Sequence, residues 1–386
     1  MSDLLVCTVT CRQFPNLTFA PRKTCHRGSN LTLHSYHATA LDSIHDDFGK
    51  RKHFFQKNLL FFNVFPIIYK EHTHQLSCPG KFCLTDRQKE RDGQKTMWTA
   101  ENWKDYEVID TSSGEKLERW GDYLLVRPDP QVIWNTPKEH SGWRKMNGHY
   151  HRSAKGGGEW EFFQLPDEWS IQYGELTFHL KPFSFKHTGL FPEQAANWDW
   201  FSSIIRKAVK DTGRPVKVLN LFAYTGGATI AAAKAGASVT HVDASKGMVT
   251  WAKENAVSSG LGNAPIRWLV DDCVKFVERE IRRGNTYDAI IMDPPSYGRG
   301  PKGEIWKIEE NIFPFLELTA KILSKDALFF LINSYTTGLQ PAVLSYMLHT
   351  VIVPQFGGTV RADEIGLPVS SNGLILPCGA SGRWWK

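Results

Sequence analysis

Two short stretches hold residue types that could do chemistry. Asp293-Pro294-Pro295-Ser296-Tyr297 follows the apolar run from Tyr287 to Met292. Two successive prolines fix the backbone just after a buried strand. Such a backbone can aim a carboxylate and a carbonyl at an amine or ring nitrogen, with Tyr297 free to stack on a flat acceptor. The plainer reading is a rigid loop with Asp293 as a helix cap. The other stretch is Pro215 to Asp243. Val216 to Phe222 is short, apolar and β-branched, as a buried parallel strand is. Ala223-Tyr224-Thr225-Gly226-Gly227 breaks it, an Ala-rich helix begins near Ala228, and a second buried strand, Ser238 to Val242, ends on Asp243. Glycines let backbone approach a ligand closely. A helix start offers unpaired N–H groups. A carboxylate at the end of the second strand can accept hydrogen bonds from both hydroxyls of a ribose.

The dinucleotide fingerprint G-x-G-x-x-G is absent, and no Lys-Ser/Thr follows the glycines as a P-loop requires. A nucleoside without a pyrophosphate fits better, and S-adenosylmethionine (SAM) is the commonest such cofactor. The alternative is a glycine turn in an unrelated α/β protein.

The rest of the chain must position these groups. After Asp243 the sequence predicts a helix over Lys246 to Ser258 and a strand over Ile266 to Val270 that ends on Asp271-Asp272-Cys273. A helix to about Arg283 follows, then the strand Tyr287 to Met292, a helix over Ile308 to Leu323 and the strand Ala327 to Ile332 ending on Asn333-Ser334. A helix over Pro341 to Val351 precedes two closing strands, Thr359 to Ile365 and Gly373 to Leu376, around the turn Ser370-Ser-Asn-Gly. This alternation predicts a Rossmann-like α/β fold, with a mostly parallel sheet, helices on both faces and an antiparallel closing hairpin. In such sheets ligands sit beyond the carboxyl ends of the strands. Asn220, Asp243, Asp272, Asp293 and Asn333 all fall there.

Upstream, Trp98 to Lys181 reads as a small β-rich module with strands at Asp122 to Val126, Gln131 to Trp134, Glu159 to Gln164 and Glu175 to Leu180. Trp134, Trp143, Trp160 and Trp169 read as its core, with base stacking as the alternative. His187 to Gln194 leads into an amphipathic helix over about Glu193 to Val209, with Pro192 at its start.

Composition divides the chain near Met97. Residues 1–96 carry 14 Lys and Arg against 8 Asp and Glu, whereas residues 97–386 carry 32 of each. All 14 Trp lie at or after Trp98. We therefore expect 1–96 to be a disordered arm or a misassigned upstream segment, 97–185 the small module, and 186–386 the catalytic domain. The first 40 residues are acid-poor and rich in Ser and Thr, as organelle transit peptides are. Cys78 and Cys83 with His72 and His74 lack a standard zinc spacing. The apolar patch Phe54 to Tyr69 is interrupted by Lys57, Asn63 and Pro66 and makes a poor membrane span. Only Cys273 and Cys378 lie beyond residue 96, which suggests a reducing compartment and a cytoplasmic protein.

With these residues assembled, Trp98 to Lys386 resembles the class I SAM-dependent methyltransferases, in the branch of the bacterial 23S ribosomal RNA enzymes acting on cytosine C5 or guanine N7. The resemblance rests on Val218-Leu-Asn-Leu-Phe-Ala-Tyr-Thr-Gly-Gly227, Val242-Asp-Ala-Ser245, Asp271-Asp-Cys273 and Asp293-Pro-Pro-Ser-Tyr297. It implies that Phe222 to Gly227 face the amino-acid part of SAM, that Asp243 and Ala244 take the ribose, and that Asp272 and Cys273 lie near the adenine. It also implies that His187 to Gln194, with Phe191, covers the pocket. The first strand carries Asn220 where many methyltransferases have an acid. Cytosine-C5 relatives place a nucleophilic Cys after the fifth strand, because that carbon needs covalent activation. Here that place reads Ile332-Asn-Ser-Tyr-Thr-Thr. The reading is therefore methyl transfer to a base nitrogen of RNA, with Asp293, Pro294, Pro295 and Tyr297 as catalytic residues. The alternatives are a methyltransferase for a small molecule or protein, and an RNA-binding relic without activity.

Overall fold

The computed structural model describes residues 97–386 apart from 154–156, 184, 300–302, 304 and 337. The expectations for residues 1–96, including the arm and the Cys78–Cys83 pair, lie outside the described residues. The described residues open with a short strand, β1 (Met97–Thr99), and then build a five-stranded sheet. Its strands are β2 (Tyr106–Ser112), β3 (Glu115–Trp120), β4 (Tyr123–Pro128), β5 (Gly148–Arg152) and β6 (Gly158–Phe162). A separate hairpin follows, β7 (Trp169–Tyr173) and β8 (Leu176–Leu180).

The second half alternates. Helix α1 (Ala195–Thr212) leads to β9 (Lys217–Leu221), α2 (Gly227–Lys234), β10 (Ser238–Asp243), α3 (Lys246–Ser258) and β11 (Ile266–Val270). Then come α4 (Cys273–Arg283), β12 (Ala289–Met292), a small hairpin of β13 (Tyr297–Arg299) and β14 (Ile305–Lys307), α5 (Ile308–Ala320) and β15 (Phe329–Ser334). Helices α6 (Pro341–Val351) and α7 (Val353–Phe356) precede the long closing strands β16 (Thr359–Pro368) and β17 (Ile375–Trp385). The main sheet has the order β1-β16-β17-β15-β12-β9-β10-β11. Strand β17 runs antiparallel to β15 and β16, and the other pairings are parallel.

Alternation along the strands divides the core between two faces. Val218, Val239, Ala289, Ile291, Phe329 and Leu331 meet Trp198, Phe201 and Ile205 of α1, Ile230 of α2 and Ala256 of α3. Their neighbours Leu219, Val242, Ile290, Met292, Phe330 and Ile332 meet Phe276 of α4, Phe315 of α5 and Leu344 of α6. Successive strand residues point to opposite faces, so a sheet covered on both sides needs continuous apolar runs. No helix among the described residues is long and apolar enough to cross a membrane.

The helices over Lys246–Ser258 and Pro341–Val351 and the strand Ile266–Val270 have the bounds that the sequence predicts. Three stretches differ. Met97–Thr99 does not join the small sheet but pairs with Glu364–Gly366 at the edge of the main one. Gln131 to Trp134 is not a strand. Pro128 and Pro130 flank Asp129 there, and the segment instead accepts two backbone bonds, from Ser113 and Gly114, through the carbonyls of Trp134 and Val132. The last strand extends to Trp385, because Gly379 and Gly382 let a chain rich in small residues lie against Tyr335, Ile332 and Leu344. The sequence pattern also leaves out β2, β3, β5 and β7: the last three are short with a polar face, and Glu107, Asp110 and Ser112 break up the apolar run of β2. Trp143 and Trp169 are buried, while Trp134 and Trp160 are partly buried against the core.

Candidate active site

Strand order reverses at β9, which lies between β10 and β12. Crossovers leave in opposite directions at such a point and open a crevice beyond the strand ends. A cavity of about 690 Å³ occupies it. Its walls come from the ends of β9, β10, β12 and β15, from Phe183 and the segment Phe185 to Gln194, and from β3 and β4 of the small sheet.

On the β9–β10 side the backbone is unusually shaped. Phe222 and Tyr224 both lie in the left-handed region, with φ of 54° and 50°, which costs non-glycine residues energy and clusters at functional sites. Surrounding bonds hold it there. The Phe222 N–H donates to Cys273 Sγ at 3.3 Å. The Tyr224 N–H donates to Asp243 Oδ2 and the Ser245 N–H to Asp243 Oδ1, each at 2.8 Å. Each carboxylate oxygen therefore keeps lone-pair capacity for a ligand hydroxyl. Burial pushes the Asp243 carboxyl up, while those two amides pull it down. Gly226 at φ 82° lies against Ala252, and a Cβ there would come within 2.8 Å of it. A Cβ on Gly227 would meet Trp198 at 2.8 Å. Asn220 is buried and donates to Thr229 Oγ1 at 2.9 Å, so it also fastens β9 to α2.

On the β12–β15 side stands Asp293. Burial and the neighbouring Glu193 carboxyl push its carboxyl up to about 7, against an opposing hydrogen bond with Asn333. Glu193 is itself buried and pushed up by that burial. Gln194 donates to the Tyr335 hydroxyl at 2.7 Å and accepts from Asn197 at 2.9 Å and Asn333 at 3.1 Å. Ser381 donates to Asn333 Oδ1 at 2.7 Å. This buried network ties the segment over the cavity to β15 and β17. The Phe191 ring lies 5.5 Å from Tyr224 and 5.6 Å from Tyr335, so three aromatic rings bridge the two sides.

The small sheet closes the third wall. Glu118 is fully buried and accepts from Arg127 at 2.6 and 2.8 Å and from the Tyr106 hydroxyl at 2.7 Å. Lys116 lies 3.4 Å from Glu118 and 3.3 Å from Asp129. Lys186 donates to the Pro128 carbonyl at 3.0 Å, and burial together with Lys116 pulls its ammonium down to about 8.

Most of the residues singled out in the sequence meet at this cavity. Phe191, Asn220, Phe222, Ala223, Tyr224, Thr225, Gly227, Asp243, Ala244, Asp293, Pro294 and Pro295 line it. Four do not form its wall. Gly226 supports the turn from behind. Asp272 caps α4 by accepting from the Lys275 N–H at 2.9 Å. Cys273 lies beneath Phe222, its thiol pushed up by burial. Tyr297 is 52% exposed on β13, and Tyr335 provides an aromatic ring at the cavity instead. Glu193 was read only as part of the covering segment, and Tyr335, Cys378 and the small sheet's Lys116, Arg127 and Asp129 were not singled out for the site. No local pattern marks them, because they reach the cavity only through the fold.

A buried hydroxyl offers a test of whether a nucleoside cofactor fits here. Tyr224 lines the cavity and its hydroxyl has no hydrogen-bond partner. Unpaired buried polar groups are rare and want a ligand or ordered water. With the Asp243 oxygens, the turned Phe222–Gly227 backbone and a volume in the usual range for bound cofactors, the residues present fit SAM.

Comparison with known proteins gives the class. A family profile described as S-adenosylmethionine-dependent methyltransferase matches residues 134–309. A solved SAM-dependent methyltransferase from Agrobacterium tumefaciens is 36% identical, with a TM-score of 0.70, over 75% of this chain and 93% of that one. The chain belongs to the SAM-dependent methyltransferase family, and SAM is its cofactor. The structure of SMU.776 complexed with SAH shares the fold at 18% identity and a TM-score of 0.55, over 78% of each chain. Among curated relatives, ribosomal RNA large subunit methyltransferase K/L of Shewanella frigidimarina is 33% identical over 157 residues, 40% of this chain. This chain spans 20% of the length of that relative. Methyltransferase K of Neisseria meningitidis is 30% identical over 33% of this chain and 37% of its own.

Proposed function

We propose that this methyltransferase acts on RNA, ribosomal RNA above all, and places the methyl group on a base nitrogen. The observation that carries the reading is the Asp293 carboxyl, held up to about 7 at the cavity between two conformation-fixing prolines and the end of β12. The names of the ribosomal RNA relatives support the acceptor class.

In this reading the turn Phe222 to Gly227 and Asp243 hold the cofactor, with Phe191 and Tyr224 against it. SAM, when bound, would supply an electrophilic methyl on a sulfonium, whose sulfur–methyl bond breaks on transfer to leave a neutral thioether. Pro294 and Pro295 orient the acceptor, and Tyr335 stacks on the base. A nitrogen lone pair needs alignment rather than covalent activation. As the N–CH3 bond forms, the nitrogen releases a proton, and the Asp293 carboxylate accepts it. A group with a pKa near the working pH suits that exchange. Cys378, also in the cavity wall, is pushed well up by burial and by Glu193, so it stays a thiol and a poor nucleophile.

An acceptor other than RNA has one observation in its favour: residues 97–386 carry 32 cationic and 32 acidic side chains, with no surplus for a phosphate backbone. Incubating the protein with labelled SAM and unmodified large-subunit ribosomal RNA, then digesting the RNA to nucleosides, separates the readings. An N-methylated base is expected. Label only in protein or small molecules, or a methyl on carbon, would refute the assignment.

A further inference from the structure

On the face of the small sheet that also carries Leu117 and Val126, two imidazoles and a carboxylate converge. His149 and His151 are two apart on β5 and so share a face. Glu161 of β6 pairs directly across from His149 and lies on that face too, as does Glu159 across from His151. The two imidazole rings are only 4.0 Å apart. His149 Nε2 lies 2.7 Å from Glu115 Oε1, and His151 Nε2 lies 2.8 Å from Glu161 Oε2. One ligand atom each from His149, His151 and Glu161 falls within 4.8 Å of the others. Beside them, Glu115, Asp129, His151 and Arg152 line a second cleft, of about 480 Å³.

We propose that His149, His151 and Glu161 form a binding site for a zinc-type divalent cation. Imidazole and carboxylate donors in a two-to-one set suit that ion, which bonds to them at about 2.0–2.2 Å and takes four ligands. Tetrahedral bonds of that length put ligand atoms roughly 3.3 Å apart. The three groups reach this by side-chain rotation on a fixed strand pair. Glu115 orients His149 through a hydrogen bond, as outer carboxylates do at histidine metal sites. At least one coordination position remains for water. The ion would staple β6 to β5, where β6 is the exposed edge of its sheet.

The test is calorimetric titration of the full chain with zinc chloride, repeated on His149→Ala, His151→Ala and the double variant. Circular dichroism and SAM binding serve as controls for folding, because His149 is half-buried while His151 is exposed. One equivalent of zinc is expected to disappear in the double variant, and Glu115→Gln should weaken that equivalent about 10- to 100-fold. The cobalt spectrum of the full chain minus that of the double variant should lack thiolate charge-transfer bands. Equal zinc stoichiometry and affinity in the double variant would overturn the site. Thiolate bands in the difference spectrum, or no zinc bound by the full chain at millimolar concentration, would do the same.

Discussion

Arg127 grips Glu118 through two buried hydrogen bonds, Nε to Oε2 at 2.6 Å and Nη2 to Oε1 at 2.8 Å. The remaining arm of the guanidinium, Nη1, donates to the Lys186 carbonyl at 2.9 Å. The pair therefore joins the small sheet to the segment that covers the cavity. Opposite charge holds Glu118 low, at about 2, against the burial that would raise it. Removing Arg127 leaves the buried Glu118 carboxylate with only Lys116 at 3.4 Å and the Tyr106 hydroxyl as partners, at a cost of up to about 3–5 kcal/mol. Arg127→Met should lose stability of that order in urea unfolding at neutral pH. The double variant Arg127→Met/Glu118→Gln should recover part of the loss. Equal losses in the single and double variants would mean that the under-compensated Glu118 charge is not the source.

Asp243 holds the turn with both oxygens, taking the Tyr224 and Ser245 amides. If it also takes the ribose hydroxyls, Asp243→Ala should weaken SAM binding by about 1.5–3 kcal/mol, the worth of hydrogen bonds to a charged group. Calorimetry on a variant with unchanged circular dichroism checks this. An unaltered SAM affinity in that folded variant would remove Asp243 from the binding residues.

The fold was legible because its central strands are continuous apolar runs punctuated by polar ends. Asn220, Asp243 and Asp293, each at or near the end of such a run, mark one mouth of the sheet in the sequence itself. What sequence spacing could not supply was the third wall of the cavity. Lys116, Arg127 and Lys186 are distant in sequence from Asp293 and follow no period. Asp272 has the strand-end position of a ligand residue, but helix capping already uses one of its oxygens. Tyr297 has the adjacency of a stacking residue, but the turn into β13 carries it toward solvent. Tyr335 stands at the cavity through the end of β15, which only the sheet order brings beside β12.

Asp293 gives the enzyme a pH signature. Its carboxyl is pushed up to about 7, above the usual carboxylate range, chiefly by burial. If the ionised form accepts the proton, kcat/KM should rise about tenfold per pH unit below 7 and level off above it. Asp293→Asn should abolish the ascending limb together with most turnover. The stability effect has the opposite sign. A carboxyl raised in the folded state binds more protons there than in the unfolded chain, so its contribution is present below the unfolded value and lost as pH rises through 7. Asp293→Asn should therefore resist urea better than the parent at pH 8 and lose that advantage at pH 5. A parent activity flat between pH 5.5 and 8 would exclude Asp293 as the proton acceptor.

Cys378 separates nitrogen from carbon chemistry. Its thiol lines the cavity, donates to the Leu376 carbonyl at 3.4 Å, and is pushed well up by burial and the nearby Glu193. Methylation of cytosine C5 needs a thiolate bonded to the ring before the methyl arrives. A neutral thiol supplies almost none. Cys378→Ser should accordingly keep methyl transfer within about threefold of the parent, since Ser preserves size and hydrogen bonding and the change lies well below the 1.36 kcal/mol of a tenfold rate effect. Cys273→Ser tests the support beneath Phe222 rather than the chemistry, and its effect should fall on SAM affinity. RNA containing 5-fluorocytosine should leave no adduct that survives denaturing electrophoresis. A stable adduct that disappears in Cys378→Ser would establish the thiol as nucleophile and return the reaction to carbon.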